Sequence, residues 1–164
     1  HTLTIVERNL APQVMLTMNQ DNQVRQVITP IDGLVVVNAN ITDVNNDMVS
    51  SQWRYDAGLD VVEELDEQLT FDPSNLSIGV YRISLDATDD GNGNLSASQT
   101  IYFEVNAELA SLTDNDSDGD LIPDQQEGYS DSDQDGIPDY LDAIDECNVV
   151  PEHAAVQDAF LVEG

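Results

Sequence analysis

Two acidic segments in the last third of the chain carry side chains that could bind a metal ion. They read DSDGDLIPDQQE from Asp116 and DSDQDGIPDYLD from Asp131, fifteen residues apart. Each has Asp at its positions 1, 3, 5 and 9, Ile-Pro at 7 and 8, and an acid at 12. A solvated acidic linker needs no such spacing. The repeat therefore favours two copies of one specific loop.

Calcium is the ion that this spacing suits. Ca²⁺ takes about six to eight oxygen ligands, and a tight loop supplies them from positions 1, 3, 5, 7, 9 and 12, with position 7 giving its backbone carbonyl. An apolar side chain is therefore allowed at position 7, where both loops have Ile. The predicted ligands are Asp116, Asp118, Asp120, Ile122, Asp124 and Glu127 in the first loop, and Asp131, Asp133, Asp135, Ile137, Asp139 and Asp142 in the second.

The first loop leaves its register open. The second loop has Gly136 at position 6, where the chain turns sharply, but the first has Leu121 there. A register that starts at Asp114 places Gly119 at position 6 and the poorer ligand Gln125 at position 12. Either both registers are used, with carboxylates shared between neighbouring ions, or the first site is loose.

The net charge of the whole chain limits the classes of partner that it can bind. The formal net charge is −29, from 33 acidic residues against 4 basic ones, all of which are Arg. Nothing here could neutralise a nucleic-acid backbone or an anionic membrane surface, so both are excluded as partners. No apolar run approaches the roughly 20 residues that span a bilayer. The acidic side chains can still be balanced by metal cations, by a basic protein or by salt ions.

Residues 11–106 alternate between apolar and polar side chains, which is the period of half-buried strands. The clearest segments are GLVVVNANITD, GVYRISLDATDD and SQTIYFEVN. Shorter strands are predicted over 13–18, 24–29, 49–55 and 67–72. About seven short strands without helices between them predict an all-β fold, a sandwich of immunoglobulin-like type. Trp53 is predicted to lie in its core.

Catalysis is not expected. The two histidines, His1 and His153, lie near the chain ends, so a nucleophile would lack a central base. Carboxylate pairs are plentiful, but no apolar cleft is implied that would raise the pKa of one of them.

The sandwich region resembles a bacterial PKD or cadherin-like module. The resemblance rests on ITPIDGLVVVNANITDVNNDMVSSQWRYDAG and LTFDPSNLSIGVYRISLDATDDGNGNLSAS. It departs from the PKD pattern at WRYDAG, where WDFGDG is expected. The resemblance implies an immunoglobulin-like fold, which by itself assigns no activity.

The acidic region, over about residues 113–147, resembles the thrombospondin type 3 repeat, in which a chain with little core wraps around calcium ions. The most specific segment is DSDQDGIPDYLDAIDEC. The resemblance implies that Asp142 and Asp145 join further ions, and that Cys147 matches a cysteine usually found in a disulfide. Cys147 is the one cysteine of this sequence. The flanking segments allow one or two turns of helix, which argues against a sensor EF-hand.

The expected organisation is a linker or the end of a preceding unit over 1–10, the sandwich over 11–106, a linker over 107–113, the calcium-binding repeats over 114–147, and a tail or the start of a next unit over 148–164. The chain is expected to be a piece of a larger secreted or cell-surface protein, bacterial in origin. Its neighbouring domains are then its first partners.

Two functions follow as hypotheses. The first is a non-enzymatic, extracellular calcium-binding spacer or adhesion module, in which calcium stiffens the acidic connector. The alternative is a module that recognises a cell-surface carbohydrate or protein for an attached secreted hydrolase. An exposed aromatic platform drawn from Trp53, Tyr55, Tyr81 and Tyr102 would favour the alternative, and burial of these residues would count against it.

Overall fold

The computed structural model describes residues 8–144. It divides into two compact units, with the division after Ala110. The predictions for His1, Asp145, Cys147 and His153 lie outside the described residues.

Over residues 8–110 the regular structure of the first unit consists of strands, apart from one 3-10 turn at Pro73–Asn75. Its strands are β1 (Gln13–Gln20), β2 (Gln23–Val24), β3 (Val27–Ile28), β4 (Val35–Thr42), β5 (Val49–Tyr55), β6 (Asp60–Leu65), β7 (Gln68–Asp72), β8 (Gly79–Asp89) and β9 (Ser96–Val105). One sheet has the order β2-β1-β4-β7-β6 and the other β3-β9-β8-β5. All pairs are antiparallel except β3 with β9. The predicted all-β sandwich is confirmed.

The core forms where the inward side chains of the two sheets meet. Val35 and Val37 of β4 are fully buried, as are Ile83, Leu85 and Ala87 of β8. Burial of such side chains is the main force that holds the two sheets together. Trp53 of β5 is 6% exposed, and its indole N–H donates to the Leu65 carbonyl at 2.7 Å. The predicted core position of Trp53 is confirmed.

Two features differ from the strands that the sequence predicts. The single strand expected over 24–29 is split, because β2 pairs with β1 while β3 pairs with β9 in the other sheet. Arg25 lies at this crossing, 2% exposed, and donates to Gln20 Oε1 at 2.7 Å and to Asp32 at 2.8 Å. β6 was not predicted, because its side chains are mostly exposed and show no apolar alternation.

The described part of the second unit, residues 111–144, has little regular structure. Among its described residues it contains one helical turn, α1 (Asp124–Glu127), and a 3-10 turn at Asp139–Leu141. Pro123 precedes the first of these turns and Pro138 the second. Within residues 8–144, no helix has the length and apolar character needed to cross a membrane.

Candidate metal centre

Two carboxylate triads form in the second unit. Asp116, Asp118 and Asp120 offer oxygens that all lie within 4.8 Å of one another. The same holds for Asp131, Asp133 and Asp135, which occupy the same positions of the second loop. The structure thus brings together the residues at positions 1, 3 and 5 of each predicted loop.

Backbone hydrogen bonds to the carboxylates fold each loop. The amide of Asp120 donates to Asp118 Oδ1 at 3.1 Å, and the amide of Ile122 donates to Asp120 Oδ1 at 2.6 Å. In the second loop the matching bonds reach Asp133 at 3.0 Å and Asp135 at 2.9 Å. An Asp side chain that accepts from the amide two residues on closes an Asx turn. The alternate Asp residues therefore fold the chain as well as supply oxygens.

The Asp at position 1 of each loop accepts a hydrogen bond from the backbone amide at position 6. Asp116 Oδ2 accepts from the amide of Leu121 at 3.1 Å, and Asp131 Oδ2 accepts from the amide of Gly136 at 3.0 Å. Both bonds span five residues. The two loops therefore share one hydrogen-bond scheme at position 1, counted from Asp116 and Asp131.

Each loop places positions 4 and 6 in left-handed backbone conformation. In the first loop Gly119 has φ +88° and Leu121 has φ +83°. In the second, Gln134 has φ +63° and Gly136 has φ +100°. Each loop thus has Gly at one of the two positions and a strained L-residue at the other. Leu121 adopts at position 6 the conformation that Gly136 adopts without strain.

Leu121→Gly is expected to strengthen calcium binding by the first loop. A left-handed L-residue costs about 1–2 kcal/mol, and the extra freedom of an unfolded Gly offsets about 0.5–1 kcal/mol of that relief. Leu121 is 89% exposed, so little packing is lost. The net gain of about 1 kcal/mol corresponds to roughly fivefold tighter binding in calorimetric titration. Gln126→Gly, in α1, is the control and should not tighten binding; weaker binding by Leu121→Gly would contradict the strain argument.

The acids at position 9 have a second, structural role. Asp124 accepts from the backbone amide and the hydroxyl of Ser117, both at 2.8 Å. Asp139 accepts from the same two groups of Ser132, at 2.7 and 2.8 Å. Both carboxylates are buried, and neither belongs to a triad. Their role as metal ligands stays a prediction. Serine at position 2 is a partner that the sequence reasoning missed.

The remaining predicted ligands lie at the edges of the loops. Ile122 is half-buried and Ile137 is 44% exposed. Asp142 accepts from the amide of Ile144 at 3.1 Å. Glu127 ends α1, and both its carboxylate oxygens are inaccessible to solvent.

Asp114 lies outside the first triad. Its carboxylate accepts a hydrogen bond from the side-chain amide of Gln125. These two residues are positions 1 and 12 of the alternative register, and the structure pairs them with each other.

The electrostatics of the triads suit a hard cation. Asp131 is 4% exposed, and this burial raises its pKa to about 6, against the lowering effect of the Gly136 and Gln134 amides. The carboxylates of Asp133 and Asp135 raise the pKa further.

In the first loop, Asp118 Oδ2 is buried with no hydrogen-bond partner. The chain has no Lys or Arg after Arg82. A donor set made only of oxygens, without a counter-charge, fits Ca²⁺.

Comparisons with known proteins assign no family. No family model matches the chain, and no curated protein matches it. Among solved structures it is similar to a nucleoside hydrolase-related hypothetical protein from Saccharophagus degradans that is associated with carbohydrate metabolism, with 17% identity and a TM-score of 0.45. The likeness covers 60% of this chain and 26% of that chain, so this chain spans about a quarter of that protein's length.

Proposed function

We propose that the chain is a non-enzymatic calcium-binding module, in which Ca²⁺ turns the acidic second unit into a stiff connector. The observation that carries the proposal is the shared scaffold of the two loops, with three converging carboxylates in each. Asp116, Asp118 and Asp120 would hold one ion, and Asp131, Asp133 and Asp135 another. Further oxygens would come from the remaining predicted positions of the loops.

The energetics make this unit depend on its ions. Bringing the triad carboxylates together costs free energy, because like charges repel and Asp131 is desolvated. Within residues 111–144 the unit has little apolar core to offset that cost, since larger apolar side chains such as Leu121, Ile137 and Ile144 are exposed. Binding free energy that requires the folded loop is folding free energy. Calcium would therefore fix the length and direction of the connector.

The expected affinity favours a place outside the cell. Open loops of this kind belong to the weak extracellular class of calcium sites, with dissociation constants of about 10⁻⁴–10⁻³ M. Such sites are loaded only where calcium is abundant. We therefore assign the chain to a secreted or cell-surface protein. In that protein it would act as a spacer or adhesion module between neighbouring domains.

Limited proteolysis tests the proposal. In 5 mM Ca²⁺ (about five to fifty times the expected dissociation constants) the region after Ala110 should resist a protease that cuts at acidic or apolar residues. In excess chelator the same region should be cleaved first, because its backbone is no longer held by the triads. Gel electrophoresis and mass spectrometry of the fragments give the readout.

A variant with Asn at both Asp118 and Asp133 is the matched comparison, because it removes one central carboxylate from each triad. Its digestion should be rapid with or without calcium. A second variant that removes the same charge from the sandwich, at Asp60 and Asp66, should behave as the wild type. Identical digestion of the wild type with calcium and with chelator would contradict the proposal.

The recognition hypothesis receives less support. Trp53 is buried, and Tyr81 is half-buried and stacked on Phe103 at 5.6 Å. Tyr55 and Tyr102 are 39% and 38% exposed. Tyr55 pairs with the buried Ile83 whereas Tyr102 pairs with the exposed Arg82, so the two tyrosines belong to opposite faces of their sheet. The four aromatic residues therefore do not combine into one platform.

A further inference from the structure

A third carboxylate cluster lies in the sandwich, apart from the acidic repeats. Asp43 follows β4, Asp47 precedes β5, and Asp89 ends β8. Their carboxylate oxygens lie within 4.8 Å of one another, although Asp89 is more than forty residues away in sequence. The strand order of the two sheets brings these three ends to one place.

Asp89 is the most buried member, with 2% exposure. Its Oδ1 accepts three hydrogen bonds, from the Asn9 side-chain amide at 3.0 Å and from the backbone amides of Gly91 and Leu95 at 3.1 and 3.0 Å. Its Oδ2 is buried with no hydrogen-bond partner. An ionised oxygen in that position is costly unless a cation meets it.

Two further oxygens at this end of the sandwich are in the same state. Asp43 Oδ1 accepts from the amides of Asn45 and Asp47 at 2.8 and 3.1 Å, whereas its Oδ2 is buried with no partner. The side-chain oxygen of Asn9 is also buried without a hydrogen bond. Three buried oxygens from three separate segments thus lack a donor.

Gly91 shows how closely these groups approach one another. A methyl group at Gly91 would lie 2.2 Å from Asp47 Oδ2 and 2.6 Å from Asn9 Nδ2. Asp47 and Asn9 therefore border the same point, which only a residue without a side chain leaves open. The backbone supports the arrangement, since the amide of Leu10 donates to Asn45 Oδ1 at 2.9 Å.

Within residues 8–144, no arginine forms an ion pair with Asp43 or Asp89. The ion pairs of arginine within residues 8–144 join Arg25 to Asp32, Arg54 to Asp86 and Arg82 to Asp56. None of these three pairs reaches Asp43 or Asp89. The chain has no Lys that could take their place.

We propose that Asp43, Asp47 and Asp89, with the side-chain oxygen of Asn9, form a calcium site in the sandwich itself. The ligands are hard oxygens supplied by loop ends, which suits the flexible coordination of Ca²⁺ better than the strict octahedron of Mg²⁺. The ion fastens the segment before β1 to the loops that follow β4 and β8. It thereby stabilises the first unit independently of the acidic repeats.

Trp53 makes the test specific, because it is the one Trp of the chain and is buried in the sandwich. Its fluorescence reports unfolding of the first unit and not of the acidic repeats. Thermal unfolding of the whole chain is followed with chelator, with 1 mM Ca²⁺, with 1 mM Mg²⁺, and with NaCl of equal ionic strength. Calcium is expected to raise the Tm by about 5–10 °C, and the other two salts by much less.

Asp89→Asn should abolish the calcium-dependent shift without lowering the Tm in chelator. Asp47→Asn, whose backbone amide still reaches Asp43, is the second variant should Asp89→Asn fail to fold. Asp66→Asn is the charge-matched control and should keep the full shift. A variant with Asn at both Asp118 and Asp133 weakens calcium binding by the acidic repeats, and it should also keep the full shift of the sandwich. An absent shift in the wild type, an equal shift in Asp89→Asn, or an equal shift with Mg²⁺ or NaCl overturns the assignment.

Discussion

Phe103→Ala is expected to destabilise the first unit by about 3–5 kcal/mol, which is the usual cost of removing a buried aromatic ring. Phe103 is 2% exposed and lies between two other rings, with Phe71 at 5.5 Å and Tyr81 at 5.6 Å between ring centroids. The truncation leaves a cavity where the two sheets meet and removes both ring contacts. Because a domain of this size is stable by about 5–15 kcal/mol in total, the variant should be close to unfolding.

Urea unfolding followed by Trp53 fluorescence measures this effect as a shift of the midpoint. Val80→Ala is the matched control, since Val80 is 65% exposed on β8 and should cost about 1 kcal/mol or less. Equal losses in the two variants would show that the interface between the sheets does not hold the first unit together.

The sequence predicts this core well because alternation is a local property. Side chains two residues apart in a pleated strand lie on the same face. Val35 and Val37 therefore share one face of β4, and Ile83 and Leu85 share one face of β8, whichever strands lie beside them. Partner choice is not local in the same way. The crossing at Arg25 depends on contacts with Gln20 and Asp32, which belong to other parts of the chain. Nothing in the residues 24–29 alone indicates that β2 and β3 enter different sheets.

The acidic loops were predictable because the carboxylates of each triad lie close together in sequence. Asp116, Asp118 and Asp120 are two residues apart, so one tight loop suffices to gather them. Two details were not predictable from the spacing. The left-handed conformation of Leu121 arises from the hydrogen bonds of the whole loop, because Leu has no local preference for it. The bonds from Ser117 to Asp124 require the loop to be folded first.

The cluster in the sandwich was missed although the sequence carries a signal for it. Asp43 continues the inward phase of Val35, Val37, Ala39 and Ile41, and Asp89 continues that of Ile83, Leu85 and Ala87. An acid in the core phase of a strand end is unusual, since a buried charge needs compensation. TDVNND and DDGNGN contain turns, which their Asp, Asn and Gly residues favour. Only the fold shows that they meet.

Asp131→Asn is expected to change the second loop in opposite directions with and without calcium. In the metal-free chain, burial raises the pKa of Asp131 to about 6, above its value of 3.8 in the unfolded chain. Folding therefore favours the protonated form, so the contribution of Asp131 to stability is most favourable below about pH 4 and falls as the pH rises toward 6. At pH 7 the cost is about 3 kcal/mol, which the neutral Asn avoids. With calcium, the lost charge should weaken the second site by at least about tenfold.

Two measurements separate these effects: the folded population of residues 131–139 by NMR in chelator between pH 4 and 7, and calorimetric calcium titration at pH 7. The wild type should lose folded population as the pH rises, and Asp131→Asn should not. Asp116→Asn removes the equivalent residue of the first loop, which is exposed and not desolvated in the same way. It should therefore weaken calcium binding without a gain in chelator. The Asn side chain keeps an oxygen that can accept from the Gly136 amide. A loss of folded population in metal-free Asp131→Asn would therefore mean that the charged carboxylate stabilises the loop without an ion. That result would contradict a destabilising effect of burying Asp131.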